Sequence, residues 1–322
     1  MRYIKKIYKS IDAIGWFLLG FFILALIFVP KFSSPSVIES VLSQACVLMV
    51  LSCGVHLTVL NGGVDFTSTA LLALTTVIGG SIMSVKGPLG GTGFAVAAGC
   101  ITMILLGLLF GVINGFSIVT FKMPSFIVTM ATQMIVNGLA VVYTGGATIT
   151  GIPTGFCNFG NKSIGIFPLT MILALAIGVF LHILLSRTRF GRQLYAVGTN
   201  PKASLVSGIS VKKTIFKAYV ISGICAGIAG IIELAQMQCG SVNYGGTMFN
   251  DIMGAIIVGG TSPSGGRGKI PNTIMGALLL AMISVVFNIM NVPYYFITLI
   301  KGLIILIAAS LDLLNQQKHS NK

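Results

Sequence analysis

Few side chains in this sequence are suited to acid–base, metal or phosphate chemistry. The 322 residues include 6 acidic residues and 3 histidines, too few and too scattered to assemble an ordinary active site. The string nearest to a phosphate-binding loop, Gly265-Gly-Arg-Gly-Lys269, is followed by Ile270. It lacks both the first glycine at the required spacing and the Ser or Thr that would hold magnesium. We therefore expect no ATP hydrolysis and no metal or other cofactor on this chain.

Composition explains why catalytic residues are scarce. Apolar residues make up 55% of the chain and charged residues only 8%, against roughly 25% charged in a soluble protein. The mean hydropathy of +0.98 agrees, so the sequence predicts an all-α protein that crosses a membrane many times, with lipid around it. The net charge is +14, but the basic residues lie between apolar runs. They do not form the continuous groove that nucleic acid requires.

Ten apolar runs are long enough to be spans if broken helices are included. Lys and Arg in short loops stay on the cytoplasmic side. With the N-terminus inside, sixteen of these residues fall in inner segments and three, Lys31, Lys86 and Lys162, in outer loops. Both termini are therefore predicted to be cytoplasmic. The spans are 14–29, 38–60, 66–85, 94–120, 124–143, 167–185, 214–237, 249–261, 270–290 and 293–313.

An internal repeat relates spans two to five to spans seven to ten. The run from Pro88 to Asn114 matches the run from Pro263 to Asn288, with the same Gly-Gly-x-Gly pattern near its start. Because the two sets of spans enter from opposite sides, the repeat is predicted to be inverted, with halves at about 38–143 and 214–313. Transporters of this architecture carry their solute between the halves.

Charged residues within the apolar runs are functional suspects, because burying them in lipid is costly. Asp65 and Asp251 follow paired glycines at matching places in the repeat. Each is expected to cap the broken helix that follows, where the helix dipole favours a carboxylate, the alternative being direct contact with the solute. Lys301 must pair with an acid or extend to the interface, and either aspartate would suit it.

Uncharged polar residues concentrate on span five. Thr129, Gln133 and Asn137 lie with Ser125 and Thr132 on one side of the predicted helix. That side must meet water or protein, so it either lines a solute pathway or forms hydrogen bonds between helices. On span seven, Glu233 is the other candidate for the pathway, facing its entrance or reaching the interface.

The long inner loop 186–213 contains a short capped helix. Asn200 suits the N-cap, Pro201 the first helical position and Gly208 the left-handed stop, which delimits about seven residues. So short a helix is marginal in water and needs a docking surface. Its position on the cytoplasmic face suggests a soluble partner, the alternative being a solvated positive loop.

Five stretches, in unbroken order, carry a likeness to a known family. They read NGGVDFTSTALLALT, FGRQLYAVGTNPKASLVSGI, ISGICAGIAGII, IVGGTSPSGGRGKIPNTIMGALLL and KGLIILIAASLD. Over about 250 residues they resemble the membrane permease of ribose-type (monosaccharide) ABC importers, in the branched-chain amino acid/ribose permease superfamily.

The resemblance implies a single ten-span permease domain over residues 1–322 and defined partners. These are a second copy or a sister permease, a cytoplasmic ABC ATPase that binds ATP and Mg, and a periplasmic or lipid-anchored sugar-binding protein at a bacterial inner membrane. The stretch from Gly191 to Gly208 would be the element that the ATPase receives. It includes Arg192, Gly198, Asn200, Pro201, Lys202 and Ala203.

The solute and the class of transporter leave alternatives open. Thr69 stands where family members often have glycine, which stiffens the break after span two, and the solute need not be ribose; autoinducer-2 or a nucleoside are alternatives. An ion-coupled secondary transporter would share the repeat and the glycine breaks. It would have no use for the capped inner helix, however, and would usually place acidic ligands near the membrane centre. An intramembrane hydrolase would need a Ser/His or paired-Asp constellation inside the bilayer, and neither a GxSxG nor a helical His/Glu motif occurs.

Overall fold

The computed structural model describes residues 13–90 and 92–320, with side chains described from residue 14 to residue 310 apart from Gly91. Residues 1–12, which include the N-terminus, lie outside the described part, as do residues 321–322 at the C-terminus and Gly91 of the predicted repeat motif. Within the described part the chain forms thirteen helices and one two-stranded hairpin.

Ten of these helices coincide with the ten predicted apolar runs. They are α1 (Ala13–Phe28), α2 (Pro35–Leu60), α3 (Thr67–Met83), α4 (Ala95–Phe121), α5 (Ser125–Thr144), α7 (Leu169–Arg187), α10 (Val211–Met237), α11 (Met248–Val258), α12 (Ile270–Ile289) and α13 (Tyr294–Ser320). Six of them, α2, α4, α5, α7, α10 and α12, are long and apolar enough to cross a membrane. The apolar parts of the other four are shorter, at 10–17 residues. The chain is thus a helical, multi-pass membrane protein.

The remaining elements lie in the two longest connections. Helix α6 (Thr154–Asn161) and the antiparallel strands β1 (Ser163–Ile164) and β2 (Phe167–Pro168) connect α5 to α7. Helices α8 (Arg189–Thr199) and α9 (Pro201–Val206) connect α7 to α10. The sequence predicted only α9, because α6 and α8 are too short and polar to register as apolar runs.

Helices α2 and α10 form the centre of the bundle. Helix α2 packs against α10 and α12, and α10 packs most extensively against α4. That last contact uses glycines on both sides: a side chain at Gly107 or Gly111 would collide with the backbone of α10 at Gly223 or Tyr219. Such close approach gains van der Waals contact in lipid, where burial of apolar surface drives no association. These α4 glycines therefore serve helix packing.

The same neighbours recur in both halves of the chain. Helix α3 packs against α4 and α5, and α11 packs against α12 and α13. The segments that begin α3 and α11 also meet, because the rings of Phe66 and Phe249 stack with centroids 4.0 Å apart. The two broken-helix regions are therefore in contact.

Candidate functional site

Helix α8 packs closely against the membrane helices. Thr188 Oγ1 caps the helix by accepting a hydrogen bond from the Gly191 amide at 3.3 Å. A side chain at Gly191 would collide with the Leu185 carbonyl, and Leu194 and Val197 are fully buried. Arg192, by contrast, is exposed. The predicted coupling stretch thus starts with a docked helix that the sequence did not reveal.

The end of α8 rests on a turn made of glycines. The Tyr195 hydroxyl donates to the Gly268 carbonyl at 2.7 Å, and burial raises the pKa of Tyr195 above its ordinary value. The Gly266 amide donates to the Leu60 carbonyl at 2.8 Å, while a side chain at Gly198 would collide with that same carbonyl. The string that resembled a phosphate loop is therefore a packing surface for α8.

Helix α9 begins and ends as its sequence predicted. Asn200 Oδ1 accepts from the Ala203 amide at 3.0 Å, Pro201 occupies the first turn, and Gly208 has φ of +79°. The helix is 6 residues long. Its Ser204 is buried against the protein, whereas Lys202 and Ala203 are exposed.

Two apolar side chains of α9 project into solvent. Leu205 is 66% and Val206 90% exposed, beside the exposed Ala203. A capped helix that is seated on the protein and presents apolar side chains outward is suited to docking a partner. Both lie within the predicted coupling stretch 191–208 but were not among the residues named in it, although their place in the last turn before Gly208 could have indicated them.

The polar stripe of α5 meets protein in this structure. Thr129 is fully buried, and its hydroxyl donates to the Val64 carbonyl at 3.2 Å and to the Ser125 carbonyl at 2.9 Å. Gln133 donates to the Thr69 hydroxyl at 3.1 Å, and Asn137 is exposed. Hydrogen bonding between helices, the alternative to pathway lining, is thus what Thr129 and Gln133 do here. The polar side chains of Thr129 and Gln133 are therefore satisfied by residues at the break between α2 and α3 and at the start of α3.

Asp65 joins that break to the central helices. Its Oδ1 accepts from the Thr67 amide at 3.1 Å, as expected of a cap, and its Oδ2 accepts from the Ser222 hydroxyl of α10 at 2.6 Å. Asn114 of α4 is buried and donates to the Thr67 hydroxyl at 2.8 Å. The carboxylate is 2% exposed, so this network holds α2, α3, α4 and α10 together.

Asp251 does not cap a helix, contrary to the prediction. It lies within the first turn of α11, and its carboxylate pairs with the Lys301 ammonium of α13 at 2.7 Å. The charge on Lys301 explains the difference, because a cation inside the bundle requires an anion more strongly than a helix terminus does. The structure thus selects Asp251, and not Asp65, as the partner of Lys301.

Two adjoining cavities, each with polar groups among apolar ones in its lining, open beside this ion pair. The Asp251 cavity, of about 610 Å³, is lined by Asp251, Lys301 and residues of α2, α11, α12 and α13. The Glu233 cavity, of about 760 Å³, is lined by Glu233 and by residues of α2, α6, α10, α11 and α12. Gln44, Met248 and Asn288 line both cavities, so the cavities share a wall. Of the predicted pathway residues, only Glu233 contributes to either one.

The cavities are also lined by polar residues that were not among the predicted pathway residues. Ser40, Ser43 and Gln44 of α2 line the Glu233 cavity, and their spacing of three and four places them on one face of the helix. That spacing within an apolar run was the available signal. Asn288 lines both cavities, whereas Asn114, its predicted equivalent in the repeat, is buried.

Comparison with known proteins decides the family. The model of the family described as branched-chain amino acid transport system, permease component, matches residues 37–309. The chain belongs to this permease family. No solved structure matches it significantly.

Curated relatives resemble the permease over most of its length. It is 37% identical over 303 residues to the ribose import permease protein RbsC of Bacillus subtilis (strain 168), covering 91% of each chain. It is 31% identical to the D-allose transport system permease protein AlsC of Escherichia coli (strain K12), covering 93% of each. For the galactose/methyl galactoside import permease protein MglC of the same strain, the figures are 29% and 88%.

The cavities and α9 lie toward opposite ends of the permease. Gly198 and Gly266 contact Leu60 at the last turn of α2, whereas Ser40 and Gln44 line the cavities near its start. Gln44 and Ser40 precede Leu60 by sixteen and twenty residues of helix, which at a rise of 1.5 Å per residue is about 24 to 30 Å. A hydrocarbon core is also roughly 30 Å thick, so the separation of the two features along α2 is comparable to the thickness of a membrane core.

Proposed function

We propose that this chain is the permease subunit of an ATP-binding-cassette importer that takes up a monosaccharide or a similar small polyhydroxy solute. The observation that carries the proposal is the pairing of the two cavities at one end of α2 with the capped, seated helix α9 at the other. The relatives are named for ribose import, D-allose transport and galactose/methyl galactoside import, which supports a sugar as the solute. ATP and Mg are bound by a separate ATPase subunit.

The proposed topology has ten spans, with both termini in the cytoplasm of a bacterium and the chain in its inner membrane. The six long apolar helices and the four shorter ones supply these spans. The inverted repeat is supported by the matching neighbours of α3 and α11 and by the Phe66–Phe249 stack. On this topology the cavities open outward and α9 faces the cytoplasm.

Each face of the permease then has its own partner. A periplasmic or lipid-anchored sugar-binding protein delivers solute at the outer face, near the cavities. The ATPase receives α9, with Leu205 and Val206 entering an apolar site on its surface. A second copy of this chain, or a sister permease, completes the membrane unit.

The proposed pathway runs through the two cavities. Their walls contain amide, hydroxyl and carboxylate groups from six helices, α2, α6 and α10 to α13. A sugar needs such partners for its hydroxyls, and each individual hydrogen bond is weak enough to let it leave. Thr129, Gln133 and Asn137 remain candidates for a later stage of transport, in which α5 separates from α3.

The first prediction is that ATP is hydrolysed by the separate ATPase subunit and not by the permease. The purified permease is expected to hydrolyse no ATP, because it lacks any phosphate-binding loop. The ATPase that copurifies with it in mild detergent should hydrolyse ATP, and adding the sugar-binding protein with ribose should raise the rate. The measurement is phosphate release from each preparation. ATP turnover by the permease free of its partner would refute the assignment.

A further inference from the structure

One wall of the Glu233 cavity offers hydrogen-bond acceptors to a solute. It offers no side-chain N–H donors, because those of its amides are already bonded within the protein. We call this the acceptor wall: Asn161 at the end of α6, with Glu233 and Gln236 one turn apart near the end of α10. Glu233 is 7% exposed. Its carboxylate accepts no hydrogen bond from the residues that the structure describes. Glu233 is part of the lining of the cavity.

The two amides of the acceptor wall have committed their hydrogens elsewhere. Gln236 Nε2 donates to the Ser43 carbonyl at 3.1 Å and to the Thr170 hydroxyl at 3.0 Å. Asn161 Nδ2 donates to the Cys157 carbonyl at 3.0 Å and to the Ala235 carbonyl at 3.3 Å. A side-chain amide has two hydrogens and one carbonyl oxygen, so each residue has only its oxygen left for a solute.

We infer that the acceptor wall selects solutes by what they donate, admitting neutral polyhydroxy compounds and rejecting their anionic derivatives. This inference rests on the proposed function. A sugar hydroxyl donates a hydrogen bond to any of these oxygens. A sugar phosphate or sugar acid instead brings an anion, which accepts hydrogen bonds and repels the Glu233 carboxylate.

Other charges near the cavity do not offset Glu233. Asp251 and Lys301 neutralise each other in the adjoining cavity. Lys162, next to Asn161, is exposed and lies outside the cavity lining. Glu39 accepts a hydrogen bond from Ser163 and is also outside the lining. Glu233 is therefore the charge that distinguishes cationic from anionic molecules inside the cavity.

The test uses thiol reagents of opposite charge on the full-length permease in membranes. In a background with the six native cysteines replaced, Asn288→Cys or Ser40→Cys places a thiol in the cavity. We compare the rate constants for a cationic and an anionic methanethiosulfonate at pH 8. The ratio of the cationic to the anionic rate constant should be roughly tenfold higher at the cavity thiol than at an exposed thiol outside the cavity, Thr154→Cys. E233Q should remove this excess.

Matched variants isolate the role of Glu233. E233D keeps the carboxylate and should keep the high ratio, and E39Q removes a carboxylate outside the cavity and should leave the ratio unchanged. A ratio equal to that of the Thr154→Cys control, a high ratio that survives E233Q, or no labelling at either cavity position would each overturn the inference. The labelling requires neither ATP nor transport, so these outcomes are separate from a failure of the proposed function.

Discussion

V206D is expected to abolish ATP-driven sugar uptake while the permease still reaches the membrane in normal amounts. Val206 is 90% exposed at the end of α9, so the change costs the isolated permease almost nothing. In the complex, however, the new carboxylate would be buried against an apolar site on the ATPase without a partner. Burying an unpaired charge costs about 3 kcal/mol or more, which corresponds to over 100-fold in affinity. Uptake and ATPase copurification should be lost together.

The matched control for V206D is S210D. Ser210 is exposed and precedes α10 as its N-cap, where aspartate is also a favoured residue. It adds the same charge to the same connection without touching the apolar tip of α9, and uptake should stay near the wild-type level. Normal uptake in V206D would remove α9 from the coupling interface. Equal loss in both variants would show that the charge of the loop matters, and not the docking surface.

D251A is expected to cause the second large effect by leaving Lys301 without its anion. The pair joins α11 to α13 at 2.7 Å, and Lys301 is only 13% exposed. Removing one partner of a buried pair costs about 3–5 kcal/mol, and the lower end applies because the pair lines a cavity. At roughly 2 °C per kcal/mol for a large chain, the melting temperature in detergent should fall by about 6 °C. Uptake should fall with it.

The charge swap D251K/K301D is the control for that prediction. If the two residues act mainly on each other, the swap should recover most of the melting temperature lost in D251A, because both charges again have a partner. K301M should be milder than D251A, since it leaves a carboxylate that the cavity can hydrate. A stability in D251A equal to wild type would show that Lys301 is satisfied elsewhere, and would contradict the assigned pairing.

Features that depend on local chemistry were predictable from the sequence. Helix α9 is delimited by Asn200, Pro201 and Gly208, which fix the backbone conformation locally. Its bounds could therefore be predicted without knowledge of the tertiary structure. The membrane helices were predictable for a similar reason, because lipid requires long apolar runs. Close approach at Gly107 and Gly111 follows from their spacing alone.

Features that depend on the choice among partners were not predictable. The polar stripe of α5 had to meet water or protein, but only the fold shows that Thr129 bonds to the break after α2. Asp65 and Asp251 had equal claims on Lys301, and distance between elements decided between them. Helix α8 has its stability from docking on Leu60 and Gly268, contacts that join segments more than 70 residues apart in sequence.

The most direct test of the proposed importer is solute uptake into proteoliposomes. The permease is reconstituted with its ATPase, with ATP enclosed on the ATPase side, and radiolabelled ribose, allose or galactose is offered with the sugar-binding protein outside. We predict accumulation of at least one of these sugars that stops when ATP, the ATPase or the binding protein is omitted. Accumulation by the permease alone, driven by an ion gradient and indifferent to ATP, would contradict the account and identify a secondary transporter.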